Sequence, residues 1–377
     1  MVGETHFLLF SSFCSSEAKV IQNIVQGISN KLSYKVETNE LVGISSRTND
    51  LKSLLALESK DVRFIGIWGM GGMGKTTLAK VVHKKFSNQF EADSFIHDVR
   101  RKSENGLHGL QKRLLKELLC GIDMDIQDVD EGFFIIKKRL HCQKILLVLD
   151  DVDDLKQLKK LARGHNWFGS GSRIIITTRN KSLLETHNAN EIYEVKELND
   201  GEALQLFSLK DFGKGHLDVD FMELSQDFVS YSHGLPLALE LLGLSLLKKK
   251  KRFWKGLLDK LKKSPERDII KVLKISYEGL EPFEKEIFLN ISCFFCGNDQ
   301  DSVFKILDYL ELVPAYGLEI LKGKALIKLQ GNQLWMHDLL QEMGRDIVCQ
   351  ECPDNPWRHS RLWLYKDIED ALERNKV

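Results

Sequence analysis

The sequence predicts an α/β domain built on a parallel sheet with helices on both faces, followed by a small helical bundle and then a winged-helix domain. Three observations carry that reading. Four short apolar runs of strand type, Arg63–Trp68, Ser94–Val99, Lys144–Leu149 and Arg173–Thr178, alternate with helical stretches, as in a parallel sheet covered on both faces. Near residue 195 the strand runs stop, and Glu202–Phe212, Phe221–Ser232, Leu235–Leu247 and Phe253–Leu261 read as consecutive helices. The last third offers helices Asp268–Tyr277, Pro282–Phe295 and Asp301–Leu310, then the runs Leu326–Leu329 and Gln333–Met336 on either side of Gly331-Asn332, and a closing helix Leu339–Cys349. Gly-Asn between two such runs is a hairpin signal, which completes a winged helix.

Ahead of the first strand, Val20, Ile21, Ile24, Val25, Ile28 and Leu32 recur at helical spacing over Glu17–Leu32, predicting a lead-in helix. Residues 1–16 fit no element. The boundaries that follow are 1–33 for the N-terminal segment and linker, 34–197 for the sheet domain, 198–265 for the bundle and 266–377 for the winged helix. With 377 residues, 43% hydrophobic and 29% charged, the chain can bury two or three cores and is too apolar to be disordered. Lys plus Arg and Asp plus Glu are 54 each, so no global field draws the protein to nucleic acid or to a membrane, and neither is an expected partner. Phe7–Phe10 is too short for a signal sequence or a span. Seven scattered cysteines suit a reducing compartment, so a cytoplasmic protein is expected, with the nucleus as the alternative.

Gly69-Met-Gly71-Gly72-Met-Gly74-Lys75-Thr76 satisfies the Walker A pattern between a strand and a helix. Glycines let such a loop curl until its backbone N–H groups and the helix N-terminus point at phosphate oxygens. Lys75 is then the candidate for the β/γ charge and Thr76 for Mg²⁺, with Thr77 offering a hydroxyl toward the α-phosphate. The run Lys144–Leu149 shows no alternation and delivers Asp150 and Asp151 to its C-terminal end, the Walker B position. Asp150 is the metal candidate. Asp151 is the candidate that orients or deprotonates the attacking water, and with Lys75 it forms the catalytic pair. The outer acids Asp153 and Asp154 read as a solvated turn. Arg179 follows the strand Arg173–Thr178; spacing alone divides it evenly between a γ-phosphate sensor and an ordinary surface arginine.

Taken together, the P-loop, Lys144–Asp151, Gly169–Arg179, Gly234-Leu-Pro-Leu237 and Met336-His-Asp338 resemble, in order and spacing, the NB-ARC domain of plant nucleotide-binding leucine-rich-repeat resistance proteins. Phe95–Arg100, Phe288–Phe295 and Asp150–Asp153 look like its Toll-type (TIR) subclass, and the likeness covers about residues 17–377. The resemblance implies an ADP/ATP-controlled switch of innate immunity with slow hydrolysis. It decides Arg179 in favour of the sensor, places Pro236 beside the adenine and Val42, with Gly43 and Arg47, over the base and ribose, and brings His337 to the β-phosphate of ADP. Asp338 is expected to be tied into the winged helix, holding His337 in place. Other immune-receptor proteins or chaperones, and self-association in the ATP state, are the partners it implies. Neither the Toll-type domain nor the repeats of that family are recognised in these 377 residues.

Competing readings are weaker. A winged-helix DNA-binding regulator needs a basic recognition helix, yet Gly317–Lys324 offers Lys322 and Lys324 against Glu319. A fast ATPase or kinase lacks a kinase catalytic loop. Cys293-x-x-Cys296 and Cys349-x-x-Cys352 mimic zinc spacing, but Cys293 and Cys296 fall in an apolar helical run and no histidine cluster accompanies them. Lys248–Arg252 reads as a solvated connection between helices, ahead of a nuclear signal or a phosphate patch.

Overall fold

The computed structural model describes residues 41–119, 126, 128–212, 221–261 and 266–373; the expected helix Glu17–Leu32 lies outside them. From Val42 onward the contacts form one unit. Its first part contains α1 (Ile44–Leu55), β1 (Arg63–Trp68), α2 (Lys75–Phe86), β2 (Ala92–Ile96), α3 (Val99–Ser103), α4 (Leu107–Leu118), α5 (Val129–Leu140), β3 (Ile145–Val152), α6 (Leu155–Leu161), β4 (Arg173–Thr178), α7 (Lys181–Thr186) and β5 (Glu191–Glu194). The strands pair in the order β2-β3-β4-β1-β5, every pair parallel. This order puts the C-terminal ends of β3, β4 and β1 side by side. In register, Trp68 lies opposite Thr178, and Leu149 opposite Ile176.

Ile145–Leu149 and Ile174–Ile176 are buried on both faces, which explains their unbroken apolar runs. Two strand boundaries and one whole strand differ from the sequence reading. β2 ends at Ile96, and Val99 opens a helix behind Asp98, which adopts φ 56°. β3 continues through the acidic pair to Val152, with an irregularity between Leu149 and Val152. β5 was not expected, because Glu191-Ile-Tyr-Glu194 at the sheet edge is only partly buried and lacks a full apolar run.

The bundle comprises α8 (Asp200–Phe212), α9 (Met222–Ser232), α10 (Pro236–Leu246) and α11 (Lys251–Leu261). Phe207 and Phe228 stack at 5.8 Å and Trp254 meets both edge-on. The winged helix has α12 (Arg267–Glu278), α13 (Pro282–Asn290), a π-helical turn Ile291–Phe295, α14 (Gln300–Tyr309), α15 (Pro314–Gly323), the hairpin β6 (Lys328–Gln330) and β7 (Gln333–Trp335), α16 (Asp338–Cys349) and α17 (Tyr365–Glu373). Gly331 turns the hairpin at φ 62°, as the Gly-Asn signal predicts. α15 occupies the place of the candidate recognition helix Gly317–Lys324, beginning three residues earlier, and α17 extends the fold beyond the expected closing helix. A buried hydrogen bond from Trp68 Nε1 to the Gly323 carbonyl, 3.0 Å, joins the end of β1 to the end of α15. No helix among the described residues is long and apolar enough to cross a membrane.

Candidate functional site

β1 delivers Gly69–Gly74 to the sheet edge, and α2 starts at Lys75 directly behind Gly74, whose φ of 82° is left-handed. A Cβ at Gly74 would meet nothing within 4 Å, so the backbone angle, and not crowding, asks for glycine there. The Lys75 ammonium folds into the loop it closes, donating at 2.7 Å to the carbonyls of Gly69 and Met70. Burial, then the nearby Arg179, push the Lys75 amine down to about 7, while Asp151 and Asp150 pull it back up. An anion in that loop would restore the charged form.

Asp150 is only 4% exposed, and its Oδ1 accepts from both Thr76 Oγ1 and Thr177 Oγ1 at 2.7 Å. A buried carboxylate beside a P-loop hydroxyl is the oxygen donor set that suits Mg²⁺. Thr77 is exposed at the next position. Asp151 occupies the left-handed region at φ 56°, its amide donating to Thr177 Oγ1 at 2.8 Å. One carboxylate oxygen lies 2.8 Å from Arg100 and the other 3.7 Å from Arg179 Nε. Arg179 Nη1 also donates to Ser276 Oγ on α12, at 3.4 Å, so this side chain spans from the sheet edge to the winged helix. A cleft of about 220 Å³ opens there, lined by Arg100, Asp151, Arg179, Ser276 and Lys324.

The bundle reaches the loop through Gly234–Leu237. Gly234 adopts φ 72° where a Cβ would lie 2.4 Å from the Leu198 carbonyl; Leu235 is extended and Pro236 takes the first helical position of α10, where its missing N–H costs nothing. The Leu237 amide donates to the Gly72 carbonyl at 3.2 Å. Val42 packs against the bundle core, and Arg47 fixes that segment by pairing with Glu202 at 3.1 Å and donating to the Glu197 carbonyl at 3.1 Å.

From the winged helix comes His337, which caps α16. Its Nδ1 accepts from the Leu339 amide at 3.2 Å, so the neutral ring carries its proton on Nε2, and Nε2 is buried with no hydrogen-bond partner. Burial holds this imidazole down to about 4, against the opposing pull of Glu197. Together with Gly69, Met70, Glu197 and Lys328 it lines a cavity of about 60 Å³. Asp338 is not tied into the winged helix as expected. It reaches across to the bundle, where His233 Nε2 lies 2.7 Å from its Oδ2. That bond raises His233 above the usual imidazole range and holds Asp338 below the usual carboxylate range.

All the expected site residues therefore lie at one end of the sheet, except that the contacts of Val42 are with the bundle. Four contributors were not assigned roles from sequence: Thr177, Arg100, Glu197 and His233. The first two sit inside motifs already singled out, Thr177-Thr178-Arg179 and Phe95–Arg100, where a hydroxyl or guanidinium at the strand end was the available signal.

Residues 44–216 match the NB-ARC domain, and residues 281–352 match the winged-helix domain of the type described as disease resistance protein Roq1-like. The chain carries an NB-ARC domain. The family indicated by its motifs is the one its relatives belong to. It is 44% identical over 364 residues to disease resistance protein RUN1 of Vitis rotundifolia, covering 96% of this chain and 27% of that protein. Against TMV resistance protein N of Nicotiana glutinosa it is 40% identical over 371 residues, covering 96% and 32%. The NB-ARC chain thus spans about a quarter to a third of the length of these relatives. Among solved structures, the Walker-type ATPase PABY2304 of Pyrococcus abyssi superposes with a TM-score of 0.56 at 14% identity, covering 81% of this chain and 96% of that one; this likeness shows the P-loop ATPase fold alone.

Proposed function

We propose that this NB-ARC chain is an ADP/ATP-binding switch of plant innate immunity, closed with ADP, opened by exchange for ATP and reset by slow hydrolysis. The observation that carries the reading is a single buried atom: His337 Nε2, an unpartnered donor, lines the same cavity as Gly69 and Met70 of the phosphate loop. An unsatisfied buried donor costs roughly 1–3 kcal/mol, and a phosphate oxygen would satisfy this one. Lys75, the Gly69–Gly74 loop and Thr77 would cradle the phosphates, and Thr76 with Asp150 would hold Mg²⁺, which supplies charge neutralisation when bound. Pro236 and Val42 would flank the base. Arg179 would sense the γ-phosphate and, through Ser276, pass its presence to the winged helix. Asp151 would orient water, yet it is paired with Arg100 and Arg179, an engagement that accords with slow turnover.

The moving parts on this reading are the sheet domain to residue 197, the bundle to 265 and the winged helix beyond. The setting is cytoplasmic, with other immune-receptor proteins, chaperones or further copies of the chain as partners. Denaturing the purified protein and chromatographing what it releases tests the proposal directly. Stoichiometric ADP is the expected result; a preparation that carries no adenine nucleotide and takes up none when ADP and Mg²⁺ are supplied overturns it.

A further inference from the structure

The most concentrated charge in the molecule lies away from the nucleotide site, at the tip where α10 turns into α11. Lys248, Lys249, Lys250, Lys251, Arg252 and Lys255 are all exposed there. None of them is ion-paired with an acidic side chain among the described residues, in contrast to Lys260, which reaches Glu266 at 3.2 Å. Folding stability gives no reason for the arrangement. Adjacent like charges repel, and Lys251 and Arg252 fall in the first turn of α11, where the helix dipole disfavours cations.

Interleaved with these charges are apolar side chains that the fold leaves uncovered: Leu244 at 56% exposure, Leu247 at 39% and Phe253 at 47%. Leu244 and Leu247 share one face at the end of α10. The chain reverses at Lys248, φ 59°, and Phe253 follows in the first turn of α11, the Lys249 ammonium 5.4 Å from its ring centroid. On the opposite face, Trp254, Leu258 and Leu261 are buried in the bundle, so the outward residues are not needed to complete a core. Cations alone would suit any polyanion. Exposed leucine and phenylalanine among them suit a surface that offers both anionic headgroups and an apolar layer just beneath.

From this geometry we propose that the α10–α11 tip is a docking site for anionic phospholipid membranes, the bundle lying on the bilayer surface with Leu244, Leu247 and Phe253 inserted between headgroups. The balanced charge of the whole chain, which predicts no membrane partner, conceals this local patch. The site is independent of the nucleotide reading.

Sedimentation of the full chain with vesicles tests it. Phosphatidylcholine vesicles containing phosphatidylserine should pull the protein down, and pure phosphatidylcholine vesicles should not. Lys249→Ala with Lys250→Ala should weaken partitioning by about thirtyfold at low salt. Leu247→Ser with Phe253→Ser should remove the binding that survives at high salt, where the charge contribution is screened. Every substituted side chain is exposed, and unchanged melting temperature and ADP retention verify that each variant is folded. Equal binding to neutral vesicles, unaltered binding by the lysine variant, or binding to a DNA duplex without binding to anionic vesicles would each overturn the proposal.

Discussion

The phosphate loop and the seam against the winged helix meet in one cavity but are built in opposite ways. In the loop, contacts are local or join element ends gathered at one sheet edge: Lys75 bonds carbonyls 6 and 5 residues away, and Asp150 on β3 is held in a nearly dry setting by threonine hydroxyls from the start of α2 and from β4. Across the seam, the links join residues far apart in sequence. Trp68 meets Gly323, Tyr231 donates to Glu342 at 3.0 Å, Lys328 reaches Glu197 at 3.3 Å, and His233 pairs with Asp338. In that last pair both side chains are nearly half exposed, at 46% and 48%. Exposed pairs of this kind contribute roughly 0–1 kcal/mol each. The contrast is that of a compact binding element beside a seam held by a few long-range polar links, the part that would open in the proposed switch.

The largest effects should come from breaking the loop side. Asp151→Asn keeps the amide bonded to Thr177 but removes the carboxylate, so nucleotide should remain bound while single-turnover hydrolysis falls by about 10²- to 10⁴-fold. Hydrolysis at the parent rate would remove Asp151 from the chemistry. Next in size, Lys75→Ala should weaken ADP binding by about a hundredfold, the worth of one charge-assisted contact of roughly 3 kcal/mol. Lys75→Arg should fare little better, since a planar guanidinium does not fit between the Gly69 and Met70 carbonyls. Undiminished ADP retention, measured by equilibrium dialysis, would show that the loop binds phosphate without its lysine.

Breaking the seam should cost less and show up in kinetics. Asp338→Val removes the His233 partner and should speed ADP release by up to about fivefold, the roughly 0–1 kcal/mol that an exposed pair of this kind contributes. Because both residues are half exposed, water can take over the lost bond, and the melting temperature should move little. A lowered melting temperature with unchanged release would instead make Asp338 a structural contact in the bundle seam and nothing more.

The same contrast explains what could be read from sequence. β1, β3 and β4 were visible because strands buried on both faces must be apolar throughout, and the phosphate loop because its chemistry is written within eight consecutive residues. β5 was not, since a partly covered edge strand can alternate with glutamates. α15 was legible only as Gly317–Lys324, three residues short at its start, because glycines at 317 and 323, which lie where Ile287 and Ser182 approach too closely for a Cβ, interrupt its apolar face. The partner of Asp338 was beyond reach. The acid was expected to bond within the winged helix, but its partner His233 lies on the bundle, as the left-handed residue at φ 47° that ends α9. Long-range pairs of this sort leave no periodicity and no motif.

The smallest expected effect is a pH dependence of ADP release, and its sign follows from the groups on each side of the seam. His233 is raised by its bond to Asp338, so its contribution to closure is complete below 6.5, its ordinary value, and is lost as pH rises through the raised one. Asp338 is lowered, and its share disappears only in acid below 3.8. His337, held down to about 4 by burial, acts the other way: closure strengthens as pH rises from about 4 to 6.5, because the open state takes up the proton more readily. Glu342, raised by burial, adds a loss that begins above 4.5, and Glu197 is lowered. Release should therefore be slowest near 6.5 and quicken above it, by a few-fold at most given the exposure of the His233–Asp338 pair. Stopped-flow release of a fluorescent ADP analogue, followed from about pH 6 to about pH 9, measures that alkaline limb. Lys75, pushed toward 7 when no anion faces it, could produce a limb of the same sign, and His233→Asn separates the two. If the seam titrates, the variant releases ADP at the parent's high-pH rate throughout; a limb that persists in His233→Asn belongs to the phosphate loop.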